Sequence, residues 1–320
     1  MSLFVGVDVG ASKIRVCISS GSGLVEKKLV TKFPSSGEPD SVARIIAGLA
    51  EKLLEGRKPA AIGVGSIGPL DLRRGWVVNA PNASIKSFPL REPLEKTLGC
   101  RVVLANDCAA AVWGEYMYGG GRGFRDLGFI TISSGIGGGF IVDGKLLVGW
   151  RGNAHEVGHL VLDYKSRLKC GCGGRGHWEA LASGSRLRNY VMLRAREERI
   201  PGSRGWRTAY KRGLEPEELY ALAREGDEFA LMIVDELNRI HAAGIASVIA
   251  AYDPQVIFLG GAVFLRNKEL IMQGITRYLR EYSIHEPPII MEASFGEDAV
   301  LVGALALAEN PPSELSGAES

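Results

Sequence analysis

Twice in this chain a run of β-branched residues passes through a turn of very small residues straight into a second apolar run. Residues 3–9 (LFVGVDV) lead through Gly10-Ala11-Ser12 into a segment where Ile14, Val16 and Ile18 alternate with polar or small residues. Residues 127–133 (LGFITIS) lead through SGIGGG into FIVDG. Each reads as strand, tight turn, strand. A dinucleotide-binding loop runs from strand into helix, so neither turn belongs to that class. The echo suggests two related halves, and 320 residues are enough for two domains.

Other segments fill in an α/β pattern. Val42, Ile45, Ile46, Leu49, Leu53 and Leu54 fall at helical spacing within 40–55. Residues 24–33, 61–66, 101–105, 161–164, 255–263 and 288–293 read as strands. A helix opens after Asn106-Asp107 and stops at the glycines from Gly119. Residues 177–251 read as helices broken at Pro201-Gly202 and Pro216, another helix follows from about Lys268, and a final one spans 297–309. The tail 310–320 (NPPSELSGAES) reads as disordered.

The turns carry the chemistry. In DVGASK (8–13) small residues let backbone N–H groups approach a phosphate, Ser12 and Lys13 add donors, and Asp8 suits Mg²⁺. SSGIGGG (133–139) lacks the GxxxxGK[ST] pattern of a P-loop. Two phosphate hairpins in duplicated halves, facing each other across a cleft, are the device of the actin-like (ribonuclease H-like) ATPase fold. Gly260 and Gly261, closing the strand from 255, would let an adenosine lie against the backbone. GVGSIG (63–68) matches GxGxxG, but Pro69 follows and no helix opens, so it reads as a sugar-lining turn or a plain loop. Asn106-Asp107 reads equally as a helix N-cap and as a cleft carboxylate that takes a proton from a substrate hydroxyl.

HEVGH (155–159) matches the HExxH zinc-protease motif, yet Gly152 and Gly158 weaken the helix that motif needs. Cys170, Cys172 and His177 in CGCGGRGHWE, with His159, make a Cys₂His₂ set suited to closed, structural zinc; reduced thiols in a loose loop are the alternative. Such a zinc would clamp the loop that brings Glu156 and Glu179 to the cleft. Cys17, Cys100 and Cys108 read as small core residues.

A net charge of +2 argues against nucleic-acid binding. No segment reads as a signal peptide, and none approaches the ~20 apolar residues of a membrane helix, so a cytoplasmic protein is expected. Glutamine occurs only at Gln255 and Gln273 beside abundant charge, which points to a heat-adapted source.

Together DVGASK, Asn106-Asp107, ISSGIGGG, EVGH and CGCGGRGHWE, in that order from about residue 4 to 308, resemble the ROK family of sugar kinases and sugar-responsive repressors. The resemblance implies two lobes with a duplicated core and a central cleft, 1–105 plus about 297–309 forming the smaller and 106–296 the larger. It implies ATP-dependent phosphorylation of a hexose at its 6-hydroxyl, glucose first, with an N-acetylated hexosamine as alternative. Asp107 looks like the catalytic base. Asn106, Glu156, His159 and Glu179, and also Asn82, look like sugar ligands. Asp8, Gly10, Ser12, Lys13, Ser134 and Gly135 look like the phosphate and Mg²⁺ cradle, and Gly260 and Gly261 like adenosine contacts. His159, Cys170, Cys172 and His177 would hold zinc, His177 replacing the family's usual cysteine; GAS stands where the first loop usually reads GGT. A homodimer is also expected. The repressor branch carries a helix-turn-helix ahead of the core, for which no segment is found here. The arginine-rich stretch 186–212 reads as a solvated face.

Overall fold

Val5, Val7 and Val9 are fully buried, and so are Ile14 and Val16 across the turn from them. The computed structural model, which describes residues 2–316, forms an antiparallel hairpin here from β1 (Phe4–Val9) and β2 (Lys13–Ser19), with Phe4 opposite Ser19 and Val9 opposite Ile14. β3 (Lys27–Lys32) extends the hairpin on one side. On the other, β4 (Ala61–Ser66) runs parallel to β1, and a further strand lies parallel to β4. Between them in sequence come a small sheet of β5 (Leu70–Asp71), β6 (Trp76–Val77) and β7 (Phe88–Pro89), and helix α2 (Arg91–Leu98). The fifth strand is β8 (Arg101–Asn106), giving the order β3-β2-β1-β4-β8. Helix α1 (Ser41–Leu54) buries Val42, Ile46, Ala50 and Leu53, which helical spacing puts on one face.

The second sheet repeats this plan. β9 (Leu127–Ile132) and β10 (Ile136–Val142) form the antiparallel hairpin, and β11 (Lys145–Leu146) extends it. β12 (Val256–Gly260) runs parallel to β9, and β13 (Ile289–Glu292) parallel to β12. The order is β11-β10-β9-β12-β13. Each sheet is therefore a hairpin continued by two parallel strands. β1, β4 and β12 are near-continuous apolar runs because both faces of a parallel sheet are covered.

Helix α3 (Asp107–Tyr118) leaves the first sheet and packs against both sheets. The 161–251 region supplies α4 (Trp178–Ala182), α5 (Gly184–Glu197), α6 (Arg204–Arg212), α7 (Pro216–Arg224) and α8 (Glu228–Tyr252). α9 (Ala262–Arg266), α10 (Lys268–Tyr282) and α11 (Ala299–Glu309) follow, and α11 returns to pack on β1 and β4.

Four sequence expectations need correction. Glycines 137–139 are not turn but the start of β10, because α3 crosses directly over them: a Cβ on Gly139 would lie 2.1 Å from the Cys108 carbonyl oxygen. The second turn is only Ser133–Gly135, closed by the Ser133 N–H donating to the Gly135 carbonyl at 2.9 Å. Residues 161–164 form no strand; Val161 pairs singly with His177, and the loop is held by the Leu162 and Asp163 N–H groups on the Gly176 carbonyl. The tail is ordered through a helical turn, α12 (Ser313–Ser316), because Leu315 is buried in the first-sheet core; residues 317–320 lie outside the described residues. The arginine-rich stretch is more than solvated. Arg194 reaches Glu236 at 2.7 Å and Glu198 at 3.2 Å, Arg204 reaches Glu225 at 2.6 Å, and Arg212 reaches Glu218 at 2.5 Å.

Candidate active site

The site begins where β8 ends. Asn106 is extended (φ −63°, ψ 152°), and its Oδ1 accepts from the N–H groups of Cys108 (2.8 Å) and Ala109 (3.4 Å). Asn106 therefore caps α3. Asp107 is the first helical residue; its Oδ1 also accepts from the Cys108 N–H at 2.8 Å. Burial, reinforced by the negative charge of Asp8, pushes its carboxyl up to about 6.

Asp8 lies near the end of β1. Arg15 on β2 reaches its Oδ2 from Nε at 2.6 Å and Nη2 at 2.5 Å. Burial nevertheless raises the Asp8 carboxyl above its ordinary value, with Arg15 opposing. Glu156 follows the buried His155 and is pushed up to about 7, first by burial and then by the charges of Asp107 and Glu179. Asp107 is thus repelled by Asp8, and Glu156 by Asp107 and Glu179, which couples these acids along the cleft.

A corner of hydrogen-bonding groups faces these acids. A Cβ on Gly68 would lie 3.1 Å from Glu156 Oε1, 3.6 Å from Asn106 Nδ2 and 3.8 Å from Asn153 Oδ1. Asn153 donates from Nδ2 to the Leu70 carbonyl and accepts at Oδ1 from the Leu70 N–H, both at 2.9 Å, fastening its loop to the small sheet. Asn153 was missed from sequence; a polar residue in a loop without periodicity gives no signal there. Gly68 belongs to GVGSIG, and it is this turn that meets the corner. Glu179 is buried on α4, and its Oε2 accepts from the Ile136 N–H at 3.1 Å, which ties it to the second hairpin.

His159, Cys170, Cys172 and His177 converge with one ligand atom each, all within 4.8 Å of one another. His159 Nδ1 lies 3.2 Å from His177 Nδ1, 3.6 Å from Cys170 Sγ and 3.7 Å from Cys172 Sγ, and Cys172 Sγ lies 3.4 Å from His177 Nδ1. The edges of a tetrahedron with Zn–S and Zn–N bonds of ordinary length are about 3.3–3.8 Å, so the donor set fits zinc. His159 turns Nδ1 to this cluster and Nε2 toward Glu156, 3.6 Å away. His155 lies outside the cluster, with Nε2 against the Gly152 carbonyl at 2.9 Å, and residues 157–159 form only a 3₁₀ turn. The protease geometry of HExxH is absent from these described residues.

A cleft of about 460 Å³ joins Ser12 of the first turn to Ser133 and Ser134 of the second, and continues past Gly184, Ser185, Ala262 and Val263 to α7 and α9. The two turns do face one another. Gly10 closes the first through its N–H on the Lys13 carbonyl at 2.9 Å; the Lys13 side chain is exposed at the start of β2. Gly135 abuts Glu179, since a Cβ there would lie 2.7 Å from Oε2. Gly260 and Gly261 pack on Phe129 and Thr131 of β9, and the next two residues, Ala262 and Val263, line the cleft. Asn82 is exposed beside Gly171 of the cysteine loop. Ser185 was also missed; its N–H donates to the Ser134 carbonyl at 3.0 Å.

A profile of the ROK family matches residues 4–310. The chain belongs to the ROK family. This ROK protein is 42% identical to the glucokinase of Aeropyrum pernix, over 98% of this chain and 99% of the relative. Among solved structures it is similar to a ROK family glucokinase from Streptomyces griseus in complex with glucose and AMPPNP, at 33% identity and a TM-score of 0.79, covering 96% and 99% of the two chains. It is also similar to the ROK hexokinase of Thermus thermophilus, at 34% identity and a TM-score of 0.78, covering 96% and 97%. The fold of this ROK protein is the actin-like one, in which the sheets repeat and the hairpin turns meet at the cleft. No helix among the described residues is long and apolar enough to cross a membrane.

Proposed function

We propose that this ROK protein is an ATP-dependent hexokinase that phosphorylates glucose at its 6-hydroxyl. The observation that carries the reading is Asp107: a half-buried carboxylate on the first residue of α3, accepting from the Cys108 N–H through Oδ1, with its pKa raised to about 6 by desolvation and by the charge of Asp8. The likeness to glucokinases over nearly the full chain supports glucose as acceptor. The two-sheet plan supports lobes of 1–105 with 297–309 and of 106–296. We also read the chain as a homodimer, which light scattering would test.

In this reading Asn106, Glu156, His159 and Glu179 bind sugar hydroxyls, Asn153 and Gly68 shape the same corner, and Asn82 lies at the rim. Asp107 hydrogen-bonds the 6-hydroxyl and takes its proton as the oxygen–phosphorus bond forms and ADP departs. Ser12 and Ser134, with the backbones of Gly10 and Gly135, hold the phosphates; Lys13 adds charge from the first turn. Asp8 would hold Mg²⁺, directly or through water, and the ion would supply positive charge against the phosphates. Zinc on Cys170, Cys172, His177 and His159 Nδ1 would fix the imidazole so that Nε2 presents its proton to the sugar.

A coupled ADP-release assay with MgATP and a panel of hexoses, N-acetylated hexosamines included, tests the reading. Glucose-dependent release is expected. No release with any sugar, from folded and zinc-containing protein, would overturn it, and preference for an N-acetylated sugar would replace glucose.

A further inference from the structure

The cleft that joins the two turns has a second end. Beyond Ser12, Ser133 and Ser134 it is walled by Pro216 and Glu217 at the start of α7, by Arg224 at its end, by Ala262, Val263 and Arg266 on α9, and by Asn267 between α9 and α10. If the serines hold phosphates, a nucleotide base lies between α7 and α9, with Pro216, Ala262 and Val263 offering apolar surface to its faces. Its identity must then be read by polar groups on this wall that are free to bond.

Most are not free. Arg224 Nη2 donates to Asn267 Oδ1 at 2.7 Å and to the Arg266 carbonyl at 3.0 Å. Asn267 Nδ2 donates to the Val263 carbonyl at 2.9 Å, so both ends of that amide are engaged. Arg266 Nη1 donates to Glu217 Oε1 at 2.8 Å. Glu217 is the one carboxylate among the residues that wall the cleft; Arg266 holds its Oε1, its Oε2 has no partner among the described residues, and the N–H groups that the arginines keep free can only donate.

We propose that Glu217 selects the adenine base of the phosphate donor, with Arg266 as its positioning residue. Adenine presents an amine donor at C6, which a carboxylate oxygen accepts. Guanine presents a carbonyl oxygen at the same place, and two acceptors facing each other repel. The proposal rests on the reading that this cleft holds ATP, and it concerns only which base the cleft prefers.

The test is calorimetric titration of the full chain with ADP and with GDP, together with kcat/KM for ATP and for GTP. The wild-type protein should prefer the adenine nucleotide about tenfold, the scale of one hydrogen bond to a charged group. Glu217→Ala should bring the ratio to about one, through the nucleotide KM rather than kcat, with KM for glucose unmoved. Glu217→Lys, which puts a donor in place of the acceptor, should favour the guanine nucleotide. Arg266→Ala should lower the ratio part of the way. Glu217 is mostly exposed, so unchanged melting temperatures are the folding control. A wild-type protein without base preference, or a preference that survives Glu217→Ala, overturns the proposal while leaving the kinase reading intact. Failure of both nucleotides to bind would instead remove ATP from the cleft, and the kinase reading with it.

Discussion

Gly114 of α3 and Gly303 of α11 lie back to back where these helices cross: a Cβ on Gly114 would sit 2.9 Å from Gly303 Cα, and one on Gly303 only 2.0 Å from the Ala110 carbonyl oxygen. The contact is backbone on backbone, so no side chain can rotate away. α3 carries Asp107 and α11 covers β1 and β4.

Gly303→Ala should therefore cost about 1–3 kcal/mol through overpacking, although alanine is the better helix former. Gly48→Ala in α1, where a Cβ would meet nothing within 4 Å, should instead stabilise by about 0.5–1 kcal/mol. Denaturant midpoints of the two variants check the opposite signs. A stable Gly303→Ala protein would mean that the crossing yields.

Asp107→Asn should move activity and stability in opposite directions. Turnover should fall by about 10²–10⁴ if Asp107 is the general base proposed above. The folded-state pKa, about 6, lies above the ordinary 3.8, so ionising this carboxylate destabilises the fold progressively as pH rises from about 4 through 6. The amide is never charged. The variant should be more stable than wild type at pH 7.5 by at most about 2–3 kcal/mol, with no gain at pH 4. Melting curves at the two pH values decide this, and an equal gain at both would point away from ionisation.

In the proposed reading the same carboxylate should set the acid limb of the pH–rate profile. A base works deprotonated, so kcat/KM for glucose should fall about tenfold per pH unit below the Asp107 pKa and level off above it. Mg²⁺ near Asp8 relieves the repulsion that helps raise this pKa, so the limb should lie at or below about 6. Steady-state rates between pH 4.5 and 8 measure it. A profile still rising above pH 7 would mean another group is the base.

Much of this was legible in the chain. Alternating Ile14, Val16 and Ile18 fixed a hairpin, and the strand–turn–strand echo at 127–142 exposed the duplication, because both patterns are local. Packing between distant segments was not legible. Gly137–Gly139 looked like a phosphate turn, but their need for small size comes from α3 pressing on β10, a contact between residues about 30 apart. Gly260 and Gly261 have a packing reason of the same kind, lying close against Phe129 and Thr131 of β9. Asn106 and Asp107 are both good caps by type; only the backbone at β8 decides which one caps. Asn153 reaches the site through Leu70, a bond across 83 positions that no spacing rule contains.

Metal removal separates the clamp from the catalyst. The donor geometry of His159, Cys170, Cys172 and His177 leads us to expect about one zinc per chain by elemental analysis. Cys172 is exposed, so Cys172→Ala disturbs no core packing and should strip the metal. With Nδ1 released, the His159 ring loses its fixed tautomer and Nε2 loses its aim, while Asp107 on α3 is untouched. KM for glucose should rise about 10–100-fold, the usual cost of loosening a ligand's support, with a smaller change in kcat. Thiol titration gives an independent reading: chelation should expose Cys170 and Cys172 to reagent, whereas thiols in a loose metal-free loop would react from the start. Prompt reaction of both, with no zinc found, would remove the clamp and leave His159 to be held by Glu156 alone.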